Sequence, residues 1–262
     1  MTHDDYGRIK IFFDGYTRDF ISRAEDSHPY VLKREHTLRV VENMVFLGKS
    51  LGLSSQEMGI AKTAALLHDI GRFIQYERYA TFSDPASENH AVLGVQVIQE
   101  QDLMASYPNI EKTRIIKAIS MHNTRYLHRK MDTETLVLTR LLRDADKLDI
   151  FGVMTKKYLG TDPEENSYIT LNLKDDGLIS EDLMTDILKK ESIDNRKVKS
   201  LNDLKLLHIS WVFDLNFREA VKRVDELEFI PLIVSTMPDS KPLASLLDFV
   251  KTYMKDNPRK KK

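Results

Sequence analysis

Apolar residues recur along this chain at intervals of three and four. Ile9, Phe12, Phe13, Tyr16 and Phe20 fall on one helical face, as do Thr37, Val40, Val41 and Met44, and then Ile115, Ala118 and Ile119. This spacing follows the turn of an α-helix and not the alternation of a strand. Ser54 followed by Glu57 has the form of a capping box, in which a hydroxyl and a carboxylate each satisfy a backbone N–H. It opens a helix that runs through Ala61, Ala64 and Ala65 to the pair His68-Asp69. Gly71 is expected to stop that helix. Asn89 or Ser87 offers a cap for a helix starting near His90, residues 111–122 read as another, and residues 133–158 as a long one. Residues 168–179, with Asp176-Gly177 as a turn signal, hint at strands. Past a loose boundary at residues 160–165, the segments 180–190 and 201–228 are amphipathic, with Trp211, Leu204, Leu207 and Leu215 forming a core stripe. The expected fold is all-α, a helical core over residues 1–160 and a mostly helical C-terminal extension over 161–262 packed on it.

Composition narrows the chemistry. The 262 residues, 42% of them hydrophobic, suffice for one large domain or two fused ones. Acidic and basic residues number 40 and 39, so no global field attracts a nucleic-acid polymer. The run Arg259-Lys260-Lys261-Lys262 is too short to change that. With zero cysteines, disulfides, thiolate nucleophiles and sulfur-ligated metals are excluded, leaving nitrogen and oxygen ligands for any ion. No cationic leader is visible and no apolar run approaches about 18 residues, so a cytoplasmic protein without membrane partners is expected.

Four of the eight histidines, His36, His68, His90 and His122, fall where a helix would turn them inward. One histidine on an apolar face is usually a hydrogen-bonded core residue. Several on separate helices, together with Asp69 and the cluster Asp144-Ala145-Asp146-Lys147-Leu148-Asp149, are better explained by a shared ion that satisfies them collectively. Adjacent side chains on a helix diverge by about 100°, so His68 and Asp69 can serve one ion only where the helix frays, or else two neighbouring ions. Periodicity permits either Asp144 or Asp146 as a ligand. Asp149 is either an acceptor for a ligand histidine or a surface carboxylate beside Lys147.

These residues resemble the HD-domain metal-dependent phosphohydrolases. His36 in Arg34-Glu35-His36-Thr37, the pair in Leu66-Leu67-His68-Asp69-Ile70-Gly71-Arg72, and Asp146 match the pattern of an early His, a His-Asp pair and a distant Asp. The resemblance covers roughly residues 30 to 155 and implies an HD-domain helical bundle, with Asp146 rather than Asp144 as ligand. Members with two metals add two histidines in the interval, matched here by His90 and His122. On that likeness one ion takes His36, His68, Asp69 and Asp146, and a second takes His90, His122 and the other oxygen of Asp69.

The activity implied is hydrolysis of a phosphate ester or anhydride of a small metabolite or nucleotide by metal-activated water, with Asp69 and Arg72 catalytic. Nitrogen-rich ligands favour one or two ions of Mn, Fe, Co, Ni or Zn. Arg72, Lys147, Arg125 and His128, with Arg129 beside them, are the cations near the ligands that could take a phosphorylated substrate. Two other classes share the scaffold: an HD-type di-iron oxygenase and a non-catalytic, metal-stabilised nucleotide-binding module. The sequence leaves the oligomeric state open.

Overall fold

The computed structural model describes residues 3–127, 130–161, 170, 173–175 and 177–256. Every regular element among them is a helix. Much of the strand hint at 168–179, Asp176 included, lies outside the described residues, and those described there form no strand. No helix among the described residues is long and apolar enough to cross a membrane. The chain divides into two compact units, Met1–Asp146 and Lys147–Lys262. The division falls inside the long seventh helix, whereas the sequence puts its boundary at residues 160–165, where Gly160 (φ 67°) follows the end of that helix.

The first unit contains α1 (His3–Arg23), α2 (His28–Ser50), α3 (Ser55–Leu67), α4 (Gly71–Tyr79), α5 (His90–Glu100), α6 (Asn109–Met121) and the first part of α7 (Thr133–Tyr158). The capping box of α3 forms as read: Ser54 Oγ accepts the Glu57 N–H at 3.3 Å and Glu57 Oε2 accepts the Ser54 N–H at 2.8 Å. Asn89, and not Ser87, caps α5, accepting the Ala91 N–H at 2.9 Å. Val40, Met44 and Leu47 of α2, Ala64, Ala65, Leu66 and Leu67 of α3 and Ile115 and Ile119 of α6 are fully enclosed. Each large aliphatic side chain so buried contributes about 1.5–3 kcal/mol. Phe13, Tyr16 and Phe20 of α1 meet Tyr30 and Phe73 in an aromatic cluster that fixes the starts of α2 and α4.

Gly71 does not stop α3. That helix ends at Leu67, residues 68–70 form a turn, and Gly71 begins α4. A Cβ at Gly71 would stand 2.2 Å from the His90 carbonyl oxygen and 2.4 Å from the Gly94 nitrogen. The missing side chain lets the first turn of α4 lie against α5, which carries His90.

The second unit contains the remainder of α7 with α8 (Glu181–Leu188), α9 (Leu201–Ser210), α10 (Arg218–Glu226), α11 (Phe229–Val234) and α12 (Lys241–Asp256). Residues 202–210 of α9 are all buried, making it the central helix of this unit. The amphipathic segment 201–228 is interrupted after Ser210 by the 3₁₀ turn Trp211–Phe213. There the Asn216 side chain donates to the Asp214 carbonyl at 3.2 Å, and such local bonds compete with the helical ladder. Trp211 packs edge-on against Phe151 and His208, so it serves the core.

Candidate metal centre

Five helices of the first unit, α2, α3, α5, α6 and α7, deliver the candidates, most of them at a helix end. His36 lies on α2, His68 and Asp69 in the turn that ends α3, His90 at the first residue of α5, His122 just past α6, and Asp146 on α7. His68 and His122 are each the residue that closes a helix, and both keep helical backbone angles, φ -60° with ψ -39° and φ -65° with ψ -34°.

The side chains converge on Asp69. Its Oδ2 lies 3.5 Å from His36 Nε2 and 3.7 Å from His68 Nε2. Its Oδ1 lies 3.2 Å from His90 Nε2 and 3.9 Å from His122 Nε2. Asp146 Oδ1 completes the Oδ2 side, 3.2 Å from His36 Nε2 and 3.8 Å from His68 Nε2. Asp146, not the fully buried Asp144, is thus the carboxylate that reaches the histidines.

Tautomers follow from the acceptors. His68 Nδ1 lies 2.8 Å from the Ala65 carbonyl, His122 Nδ1 2.6 Å from the Ile119 carbonyl, and His90 Nδ1 2.8 Å from Asp84 Oδ2. Carbonyl and carboxylate oxygens only accept, so each Nδ1 carries the hydrogen and each neutral ring turns a lone pair outward at Nε2. Burial keeps these rings neutral, pushing His68 and His90 below the ordinary histidine value and His122 down to about 3. Burial alone would raise Asp69, but the Lys33 ammonium, with the Arg72 guanidinium, holds it well below the usual carboxylate range. Burial likewise opposes ionisation of Asp146, yet its carboxyl, 3.2 Å from His36 Nε2, is held below the usual carboxylate range.

Two observations test whether these residues fit a cation. The Nε2 of His68 is buried with no hydrogen-bond partner. The Nε2 atoms of His90 and His122 face each other across 3.0 Å, lone pair to lone pair, an arrangement that calls for a shared positive charge. Ligands on one ion at bond lengths of about 2.0–2.2 Å stand about 3–3.5 Å apart, and most of the separations here approach that range. His36, His68 and Asp146 form one group that could hold an ion, and His68, Asp69 and His122 another.

The expected substrate cations are placed differently. Arg72 Nη1 donates to Asp84 Oδ1 at 3.0 Å and to Gln75 Oε1 at 2.8 Å, and its Nε stands 3.5 Å from Asp69 Oδ1. The guanidinium is committed to the scaffold of the centre. Lys147 pairs with Asp214 at 2.9 Å and lies over the Trp211 ring. Arg125 is exposed over the ring of Tyr126. His128 and Arg129 lie outside the described residues. Asp149 is buried, which removes its reading as a surface carboxylate.

Sequence reasoning missed Lys33, whose Nζ donates to Asp69 Oδ2 at 2.9 Å. Its signal was its place one turn before His36, on the same face of α2. It also missed Asp84, which accepts from His90, Gln75 and Asn123, which donate to Asp84, and Arg143, which donates to the His122 carbonyl at 3.1 Å. No motif marks these.

The family model described as HD domain matches residues 34–150. This segment is an HD domain. It begins two residues before His36, ends within α7, and contains all of the converging histidines and both carboxylates. Helical architecture and His/Asp clusters able to hold a metal accord with the HD-domain superfamily of metal-dependent phosphohydrolases. No curated protein and no solved structure matches the chain.

Proposed function

We propose that the HD domain of this chain hydrolyses a phosphate ester or anhydride of a small metabolite or nucleotide, using two divalent ions. The observation that carries this reading is the division of Asp69: one oxygen faces His36 and His68, the other His90 and His122. The first ion would be held by His36, His68, Asp69 and Asp146, the second by His90, His122 and Asp69. Bound there, Mn, Fe, Co, Ni or Zn would lower the pKa of water and polarise a phosphoryl oxygen.

The chain's own residues prepare this chemistry. Lys33 and Arg72 flank Asp69 and keep it ionised, and burial keeps the imidazoles neutral. His68 is wholly enclosed, while the Asp146 side chain is 18% exposed, so the set is open to solvent on the Asp146 side.

The test is metal analysis of protein purified without chelator, followed by a panel of phosphomonoesters and nucleoside mono-, di- and triphosphates. Two ions per chain and phosphate release that falls by about 10³-fold or more in Asp69→Asn are expected. Oxygen consumption by a di-iron form, or tight nucleotide binding without turnover, would replace this reading with the oxygenase or the binding module.

A further inference from the structure

We infer that Asp84 is the positioning residue on which the second ion depends, because it holds His90 by a side chain, whereas His68 on the first ion's side is held by a backbone carbonyl. The inference rests on the two-ion reading above. Asp84 belongs to the 3₁₀ turn Asp84–Ala86 between α4 and α5. Its Oδ2 accepts His90 Nδ1 at 2.8 Å and Asn123 Nδ2 at 3.1 Å. Its Oδ1 accepts Arg72 Nη1 at 3.0 Å, Gln75 Nε2 at 2.9 Å and the His90 N–H at 3.3 Å. Gln75 is itself fixed by Ser87 Oγ and the Glu88 carbonyl at 2.9 and 2.8 Å. One carboxylate thus gathers donors from α4, from α5 and from the segment after α6.

The reason lies in where each histidine sits on its helix. His68 and His122 follow the last turns of α3 and α6, so the carbonyl three residues earlier is at hand to accept Nδ1–H. Substitution of a side chain does not remove a backbone carbonyl. His90 is the first residue of α5 and has no helical turn before it. Its Nδ1 partner must be imported, and Asp84 supplies it. A carboxylate acceptor fixes the ring, sets the tautomer and strengthens Nε2 as a ligand.

The decisive experiment is titration of the metal-free full chain and its Asp84→Asn variant with Mn²⁺. Bound metal is counted, and electron paramagnetic resonance is recorded at each addition. Wild type is expected to take two ions with a spin-coupled signal. Asp84→Asn is expected to keep one ion at wild-type affinity, to bind the other about 10–100-fold more weakly, and to show an isolated-ion signal over that range. Unchanged affinity for both ions, or equal weakening of both in a chain whose circular dichroism is native, would overturn the inference. A wild type that takes only one ion overturns the two-ion reading itself, which is a separate result. If Asp84→Asn does not fold, Asn123→Ala, at the exposed edge of the same carboxylate, serves instead. It is expected to weaken one ion a few-fold, and loss of neither or of both equally would count against Asp84.

Discussion

His90 and His122 bring two Nε2 lone pairs within 3.0 Å of one another, and Lys33 places an ammonium 2.9 Å from the carboxylate beside them. The histidines were legible because their type and their places on apolar faces already suggest ligation. Lys33 was not, because a lysine on a helix is by default a solvated side chain and its partner is 36 residues away. An ammonium has three donors, so Lys33 can hold Asp69 and still address an incoming phosphoryl oxygen. A charge-assisted bond of this kind contributes about 1.5–3 kcal/mol. Lys33→Met should therefore lower kcat/KM for a phosphorylated substrate by about 10–100-fold, with weaker inhibition by inorganic phosphate. Lys33→Arg should recover part of both. Steady-state kinetics beside metal analysis separates this from a loss of ions, and a variant with unaltered kinetics would remove Lys33 from the substrate site.

At the scale of elements, helix boundaries were readable where local chemistry sets them and unreadable where a neighbour does. Ser54, Glu57 and Asn89 cap their helices through bonds spanning a few residues, which a linear pattern reveals. Gly71 looks like a stop signal, yet it begins α4 because α5 lies too close to tolerate a side chain. Gly15, in the middle of α1, has nothing within 4 Å of where its Cβ would be. The two glycines should respond oppositely. Gly15→Ala is expected to stabilise the chain by about 0.5–1 kcal/mol through helix propensity. Gly71→Ala should cost about 1–3 kcal/mol by forcing α4 from α5, and weaken the ion held by His90. Urea unfolding of both variants measures this, and stabilisation by both would show that the approach of α4 to α5 is not tight. Helix α12 was legible by the same rule as α1, from Leu243, Leu246, Val250 and Met254, but was not read.

Over the whole molecule, charge nearly cancels at -1 and the candidate centre belongs to the unit Met1–Asp146. The unit Lys147–Lys262 carries its own buried histidine, His208, whose Nδ1 is hydrogen-bonded to the hydroxyl of the half-buried Tyr158 at 2.8 Å. Burial pushes His208 down to about 3. The folded chain keeps this ring neutral, while the unfolded chain takes up a proton near the ordinary value of about 6.5. Protons then favour the unfolded chain: stability is intact above about pH 6.5 and is lost as pH falls towards 3, by up to about 1.4 kcal/mol per pH unit from this group. Between pH 7 and pH 5 wild type should lose stability relative to His208→Phe. Denaturant unfolding at both values checks it, and parallel losses in the two proteins would mean that His208 is protonated within the fold.

The sequence by itself determined the helical class, the capped start of α3, the extent of α7 and the group of histidines and aspartates that converge. Those properties reside in spacing, capping chemistry and residue type, which are local to the chain. Tertiary structure decided between Asp144 and Asp146, gave each oxygen of Asp69 its own pair of histidines, tied Arg72 and Lys147 to Asp84 and Asp214, and brought Lys33 and Asp84 to the centre. Each of these depends on groups far apart in sequence meeting at hydrogen-bond distance. Only the packing of helices against one another sets that distance, because helical periodicity fixes the face on which a side chain lies and leaves open what the face meets.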